Sequence, residues 1–134
     1  MTLEIIAPGV GWYLYEERII VYQIETVVAE SLDMWLEHVQ KKMSNWDQDQ
    51  SYLALYKLIH PDITFTPYVR ELAIKVNSIY PEISGRVALL MVEDMMSTLM
   101  DYFAKGRTNT PRPLKVFHKE AEALAWLKEM LEVE

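Results

Sequence analysis

The chain of 134 residues contains no cysteine. That excludes disulfides, thiolate metal sites and a cysteine nucleophile, and it fits a cytoplasmic address. Glycine is scarce at four residues and proline little commoner at six, too few for a linker-rich or low-complexity chain. The scattered glycines form no phosphate-cradling loop. Basic side chains are also in short supply, 13 against 20 acidic ones, for a net charge of −7. A general nucleic-acid binder needs a basic face, so that class is disfavoured. The longest apolar run, residues 87–92 (VALLMV), falls far short of the ~20 residues that span a bilayer. Glu4 and Pro8 interrupt any apolar stretch at the start, so no secretory leader is expected. What is present is a half-apolar sequence of single-domain length, enough for one real core.

The first ten residues show no firm pattern, and Pro8-Gly9 marks a turn. Residues 11–16 (GWYLYE) and 18–25 (RIIVYQIE) are rich in aromatic and β-branched side chains and read as two strands. The short junction at Glu16-Glu17 makes them an antiparallel hairpin, although it lacks an Asn-Gly or Asp-Gly turn. In the second strand Ile20, Tyr22 and Ile24 share one face, and Ile19 and Val21 make the other apolar too. From Thr26, a plausible N-cap, the period changes. Leu32, Leu36, Val39 and Met43 recur at helical spacing, with Lys41 and Lys42 in the last turn, where cations suit the helix dipole.

Residues 51–59 (SYLALYKLI) read as a third strand, ended by His60, Pro61 and Asp62. Thr66-Pro67 opens a second helix, Thr as N-cap and Pro at the first helical position, with Val69, Leu72, Ala73, Val76 and Tyr80 as its buried stripe. The run 87–92 has the mark of a strand covered on both faces. Asp94 caps a third helix with Met96, Leu99, Met100 and Phe103 inside and Gly106 past its end. A loop, a short strand at 114–117 and a helix at about 120–131 close the chain. The order is β-β-α-β-α-β-α-β-α, an α/β domain over residues 1–134. Its mixed five-stranded sheet has the first strand antiparallel at one edge, and an N-terminal hairpin precedes the repeated strand–helix turns.

This order, with the closing segment LKVFHKEAEALAWLKEML at 114–131, resembles the STAS (SpoIIAA-like) superfamily of bacterial anti-sigma-factor antagonists. The topological likeness spans roughly residues 10–131, the motif likeness 114–131. The resemblance implies a regulatory module that binds other proteins. In the antagonists a phosphorylatable Ser sits in an Asp-Ser-Ser-Gly motif at the start of the helix after the third strand. Here that stretch is Asp62-Ile63-Thr64-Phe65-Thr66-Pro67, without Ser or Gly. Thr66 is the nearest hydroxyl and the candidate phospho-acceptor. A phosphate there would meet free helix N–H groups, although Thr before Pro at a helix start is first of all a cap.

The chemistry-bearing residues are few. His60 and His118 stand at the carboxyl ends of expected parallel strands, beside Asp94, where open α/β sheets place their ligand crevices. No local ligand spacing supports a metal site there, and Asp94 already serves as a cap. His38 falls on the outer face of the first helix and is expected to be solvated. There is no nucleophile elbow. Lys105, Arg107, Arg112 and Lys115, with Lys119 nearby, cluster around the loop at 107–113, a candidate contact for an anion or an acidic partner. Met91, Met95, Met96 and Met100 gather at one strand–helix junction, either as core or as a surface that repacks around apolar partners. Trp12, Trp35 and Trp46 do not all fall on core stripes, which would leave some exposed at an interface.

The sequence therefore points to a non-catalytic, cofactor-free and metal-free cytoplasmic interaction module. Its partner would be another protein or a second copy of the chain, with no nucleic acid and no membrane span. The alternative is a binder of small apolar, lipid-like molecules. An exposed apolar patch favours the first. An enclosed cavity of roughly 300–1,000 Å³ lined by Met, Tyr and Phe favours the second. An enzyme would need His60, Asp94 and His118 to converge.

Overall fold

The structure, a computed structural model, describes residues 2–60, 63, 66–106 and 110–132, with the backbone alone at 95, 96 and 103. Its strands are β1 (Glu4–Ala7), β2 (Val10–Tyr15), β3 (Ile19–Ile24), β4 (Tyr52–Leu58), β5 (Gly85–Met91) and β6 (Leu114–Phe117). Its helices are α1 (Ala29–Ser44), α2 (Pro67–Ser78), α3 (Met95–Lys105) and α4 (Glu120–Lys128), the last followed by a 3₁₀ turn at Glu129–Glu132. The strands lie in one sheet in chain order, β1-β2-β3-β4-β5-β6. β2 runs antiparallel to both its neighbours, β1 and β3, and β3 to β6 run parallel.

The sheet thus has six strands and not the five expected. The added one is β1, whose register with β2 shifts between Ile5 and Ala7. That irregularity breaks the two-residue alternation by which a strand announces itself. Pro8-Gly9 is indeed a turn, with Gly9 at φ +81°, but it joins two strands. The β2–β3 hairpin closes through Glu16 and Glu17, both at positive φ, as a type I′ turn requires. Arg18 N donates to the Tyr15 carbonyl across it at 3.0 Å.

Alternation along the strands divides the core between two faces. One buries Ile20, Tyr22, Tyr56, Val87 and Leu89 beneath α1, α2 and α3. The other buries Val21, Leu55, Ala88 and Leu90 beneath Ala123 and Leu127 of α4 alone. The uninterrupted run at 87–91 is what a strand covered on both sides needs. Leu32, Leu36, Val39 and Met43 face the core as their spacing demands.

Several local expectations are corrected. α1 begins at Ala29, after Val28, and Thr26 uses its hydroxyl to accept from Val28 N at 3.1 Å in a tight local turn. Tyr80 lies past α2, at φ +48°, because the helix ends at Ser78. On α3 the described buried positions are Ser97, Met100 and Ala104, which turns Leu99 to the edge and leaves it about half exposed. Met96 and Phe103 fall outside the described side chains. None of Trp12, Trp35 and Trp46 is exposed. Lys42 lies 4.2 Å above the Trp12 ring, and Trp46 packs edge-on to Tyr52 at 5.2 Å.

Candidate functional site

The carboxyl ends of β4, β5 and β6 carry the residues singled out for chemistry, and most have local partners. Asp94 closes a capping box on α3: its carboxylate accepts from Ser97 N at 2.9 Å while Ser97 Oγ accepts from Asp94 N at 3.0 Å. Thr66 Oγ1 accepts from Val69 N at 3.2 Å, which makes it the N-cap of α2. His118 Nδ1 lies 3.0 Å from the Met91 carbonyl, which ties the end of β6 to the end of β5. His60 stands just beyond β4, its carbonyl accepting from Ile63 N. Among the described residues no group of three or more His, Asp and Glu is placed to hold a metal ion.

The basic stretch does not act as one surface. Arg112, expected in an anion-binding loop, is 1% exposed. Its guanidinium donates to the carbonyls of Tyr80 at 2.8 Å and Ile83 at 2.7 Å, and also to those of Val76 and Ile79. It caps the carbonyl end of α2, and its burial keeps it from reaching a partner's anion. Lys105 is exposed and pairs with Asp101 at 3.0 Å. Lys115 lies over the rings of Phe117 and Trp126. Arg107 lies outside the described residues.

The opposite end of α1 holds an aromatic cluster. His38, expected in solvent, is half-buried between Trp12 and Tyr22, at 5.0 and 5.6 Å between ring centres. Burial, then the charge of Lys42, hold its pKa below the usual imidazole range. Burial, helped by Tyr52, pushes the Tyr22 phenol far above its usual value. Both groups therefore stay neutral, and the Tyr22 hydroxyl and His38 Nδ1 share a hydrogen bond of 3.0 Å.

Beneath α2 lies a cavity. This helix leans on α1, where the Tyr68 hydroxyl bonds to Asp33. The Asp33 bond also pushes the Tyr68 phenol pKa up to about 12. The gap has a volume of about 70 Å³, floored by Tyr56, Leu89 and Met91, walled by Leu32 and Trp35 and roofed by Leu72. Val27, Leu58, Ile63 and Val69 surround its partly open mouth. It is much smaller than the drug-sized pocket expected of a lipid carrier, and its lining is chiefly aliphatic. Tyr56 and Tyr52 are fully buried phenols: burial raises Tyr52 to about 12 and Tyr56 well above the ordinary value. Trp35 was missed on the sequence, although its spacing of three from Leu32 and four from Val39 places it on the same stripe.

A shallower groove of about 310 Å³ lies on the other face, between Leu124 and Glu120 of α4 and the Tyr13 and Tyr15 rings of β2. Here Lys57 pairs with Glu120 and donates to the Tyr13 hydroxyl at 3.1 Å. Burial pulls the Lys57 pKa down, but the bonds to Glu120 and Tyr13 outweigh it and leave the pKa raised. The ammonium therefore stays charged and satisfied.

No helix among the described residues is long and apolar enough to cross a membrane. No protein-family model matches the chain, and no curated protein does. A solved structure is similar: an uncharacterized protein of the DUF3478 family with a SpoIIAA-like fold, from Shewanella loihica PV-4. The likeness covers 88% of this chain and 91% of that one, with a TM-score of 0.62 and 15% sequence identity. At that identity the comparison speaks of architecture alone. The mixed sheet, the antiparallel strands that open it and the strand–helix turns that follow give this chain the SpoIIAA-like fold.

Proposed function

We propose that the chain is a non-catalytic regulatory module of STAS-like type, working in a bacterial cytoplasm, that docks a protein partner at the carboxyl end of its sheet. The observation that carries this reading is the apolar surface gathered there. Leu58 pairs with Met91, so Ile59 and Val92, the residues that follow them, stand side by side, 52% and 54% exposed. Leu99 and Tyr102, one turn apart on the α3 that follows, are exposed as well, Tyr102 at 82%. Val28 and Tyr68 extend the surface to the starts of α1 and α2. Exposed apolar side chains grouped in this way mark interaction sites, whereas single ones need no explanation. Asp94 is taken up in the cap of α3 and His118 in its contact with the Met91 carbonyl, which supports binding over turnover.

The test is a Leu99→Ser/Tyr102→Ser variant. Both side chains reach solvent, so unfolding stability should change by no more than about 0.5 kcal/mol. Affinity capture from an extract of the source cells should retain a partner on the native chain and lose it on the variant. Equal retention by both would remove this surface from the reading.

A second reading has its own observation, the cavity beneath α2. A void lined so largely by apolar side chains is suited to a small apolar molecule, whose burial there removes hydrocarbon surface from water. Its mouth opens beside the same carboxyl-end surface.

A further inference from the structure

We infer that the groove between α4 and β2 binds a flat, uncharged ring carrying an N–H donor and a carbonyl acceptor side by side, the chemistry of a lactam, an imide or an aromatic amide. α4 packs over β4, β5 and β6, and the groove runs along its open flank over β2 and β3. At about 310 Å³ it reaches the range of small-molecule sites, roughly 300–1,000 Å³, which the cavity beneath α2 does not. Strand register builds its floor. Tyr13, Val21 and Leu55 lie in one cross-strand row, and Gly11, Gln23 and Lys57 in the next. Gly11 has no side chain of its own, and Leu3 leans over it to close that end of the groove.

Charge at this site is already cancelled. Lys57 pairs with Glu120, and Lys128 pairs with Glu16 at 3.2 Å beside the Tyr15 ring, so neither an anion nor a cation finds an unpaired counter-charge. Polar groups are nonetheless on offer. Gln23 lines the groove half-buried, and no described residue hydrogen-bonds its side-chain amide. The Tyr13 hydroxyl accepts from Lys57 and still has its own proton to give. A half-buried amide sheds water when an occupant arrives, so the occupant must replace those bonds. Gln23 presents a carbonyl and an NH2 in one plane. Another amide edge meets both together, its N–H on the Gln23 oxygen and its oxygen on the Gln23 NH2. The Tyr13 and Tyr15 rings, two residues apart on one face of β2, give a flat ring an aromatic wall to pack against.

The experiment titrates the whole chain, isotope-labelled for NMR, with benzamide, benzoate and cyclohexanecarboxamide at neutral pH. Benzamide should move the Gln23 side-chain N–H resonances and the Leu55 and Leu124 methyl resonances together. It should leave the Leu72 and Val76 methyls of the α2 cavity in place. Benzoate has no N–H and meets the Glu120 carboxylate, so it should bind at least about tenfold more weakly. Cyclohexanecarboxamide keeps the amide but not the flat ring and should bind about three- to tenfold more weakly. Gln23→Leu should lower benzamide affinity about tenfold. If that variant fails to fold, the Gln23 resonances of the native chain report the same contact. Benzoate binding as tightly as benzamide overturns the proposal, as does benzamide binding that leaves the Gln23 signals in place. Movement of the Leu72 and Val76 methyls alone overturns it too, and places the probe beneath α2 instead. No movement of any of these resonances overturns it outright.

Discussion

His38 shows how far one side chain can depart from its helical address. Its place on α1 reads as outer surface, yet β2 and β3 bring Trp12 and Tyr22 around it, and the ring ends half-buried on a phenol. Burial first, then Lys42, lower its pKa from 6.5; Glu4 acts the other way, and Lys41 adds the smallest lowering. A depressed folded pKa means that the unfolded chain takes up the proton more readily as the medium turns acid. The stability His38 contributes is therefore complete above pH 6.5 and is lost as the pH falls from there through the folded value. Urea unfolding between about pH 7.5 and about pH 5.5 should show a larger loss for the native chain than for His38→Gln, which cannot titrate. Equal losses would mean that the imidazole is solvated after all. Neither the partner nor the burial was legible locally, because both come from strands more than ten residues away in the chain.

At the scale of elements, most of the fold was written in local signals. Thr66-Pro67 and Asp94 cap the helices they were expected to cap, since a cap needs only neighbours within three residues. β1 was the failure, for its register shift hides the alternation. The β4–β5 pairing, in the middle of the parallel part of the sheet, depends on Gly85 at φ +158° opposite Tyr52. A Cβ there would sit 1.8 Å from the Tyr52 carbonyl oxygen, and backbone cannot yield as a side chain can. Gly85→Ala should cost roughly 3 kcal/mol or more in urea unfolding. Gly11→Ala, whose Cβ would meet the flexible Leu3 side chain at 2.9 Å and the Glu4 carbonyl oxygen no closer than 3.2 Å, should cost clearly less. Similar losses at both sites would contradict this account of the strand pair.

Across the whole molecule, Arg112 joins parts of the chain that share no local signal. From just before the edge strand β6 it reaches the last carbonyls of α2 and the turn that follows, contacts about thirty residues away in sequence. Arg112→Ala would strand those buried carbonyls and should lower stability by about 3 kcal/mol. Arg112→Lys should recover only part of that, because a single ammonium cannot span the group as a planar guanidinium does. Full recovery by Lys would show that charge and not shape is what matters there. The composition and the apolar rhythm by themselves determined an α/β sheet covered on both faces, the order of its later elements, the starts of α2 and α3 and the absence of thiol chemistry. These follow from periods and caps that operate within a few residues. Tertiary structure alone decided that β1 joins the sheet, that Arg112 turns inward, that His38 loses its water and that Trp35 and Tyr56 border a gap under α2. Each of those depends on which distant segments meet, and on how closely a helix settles on the strands below it.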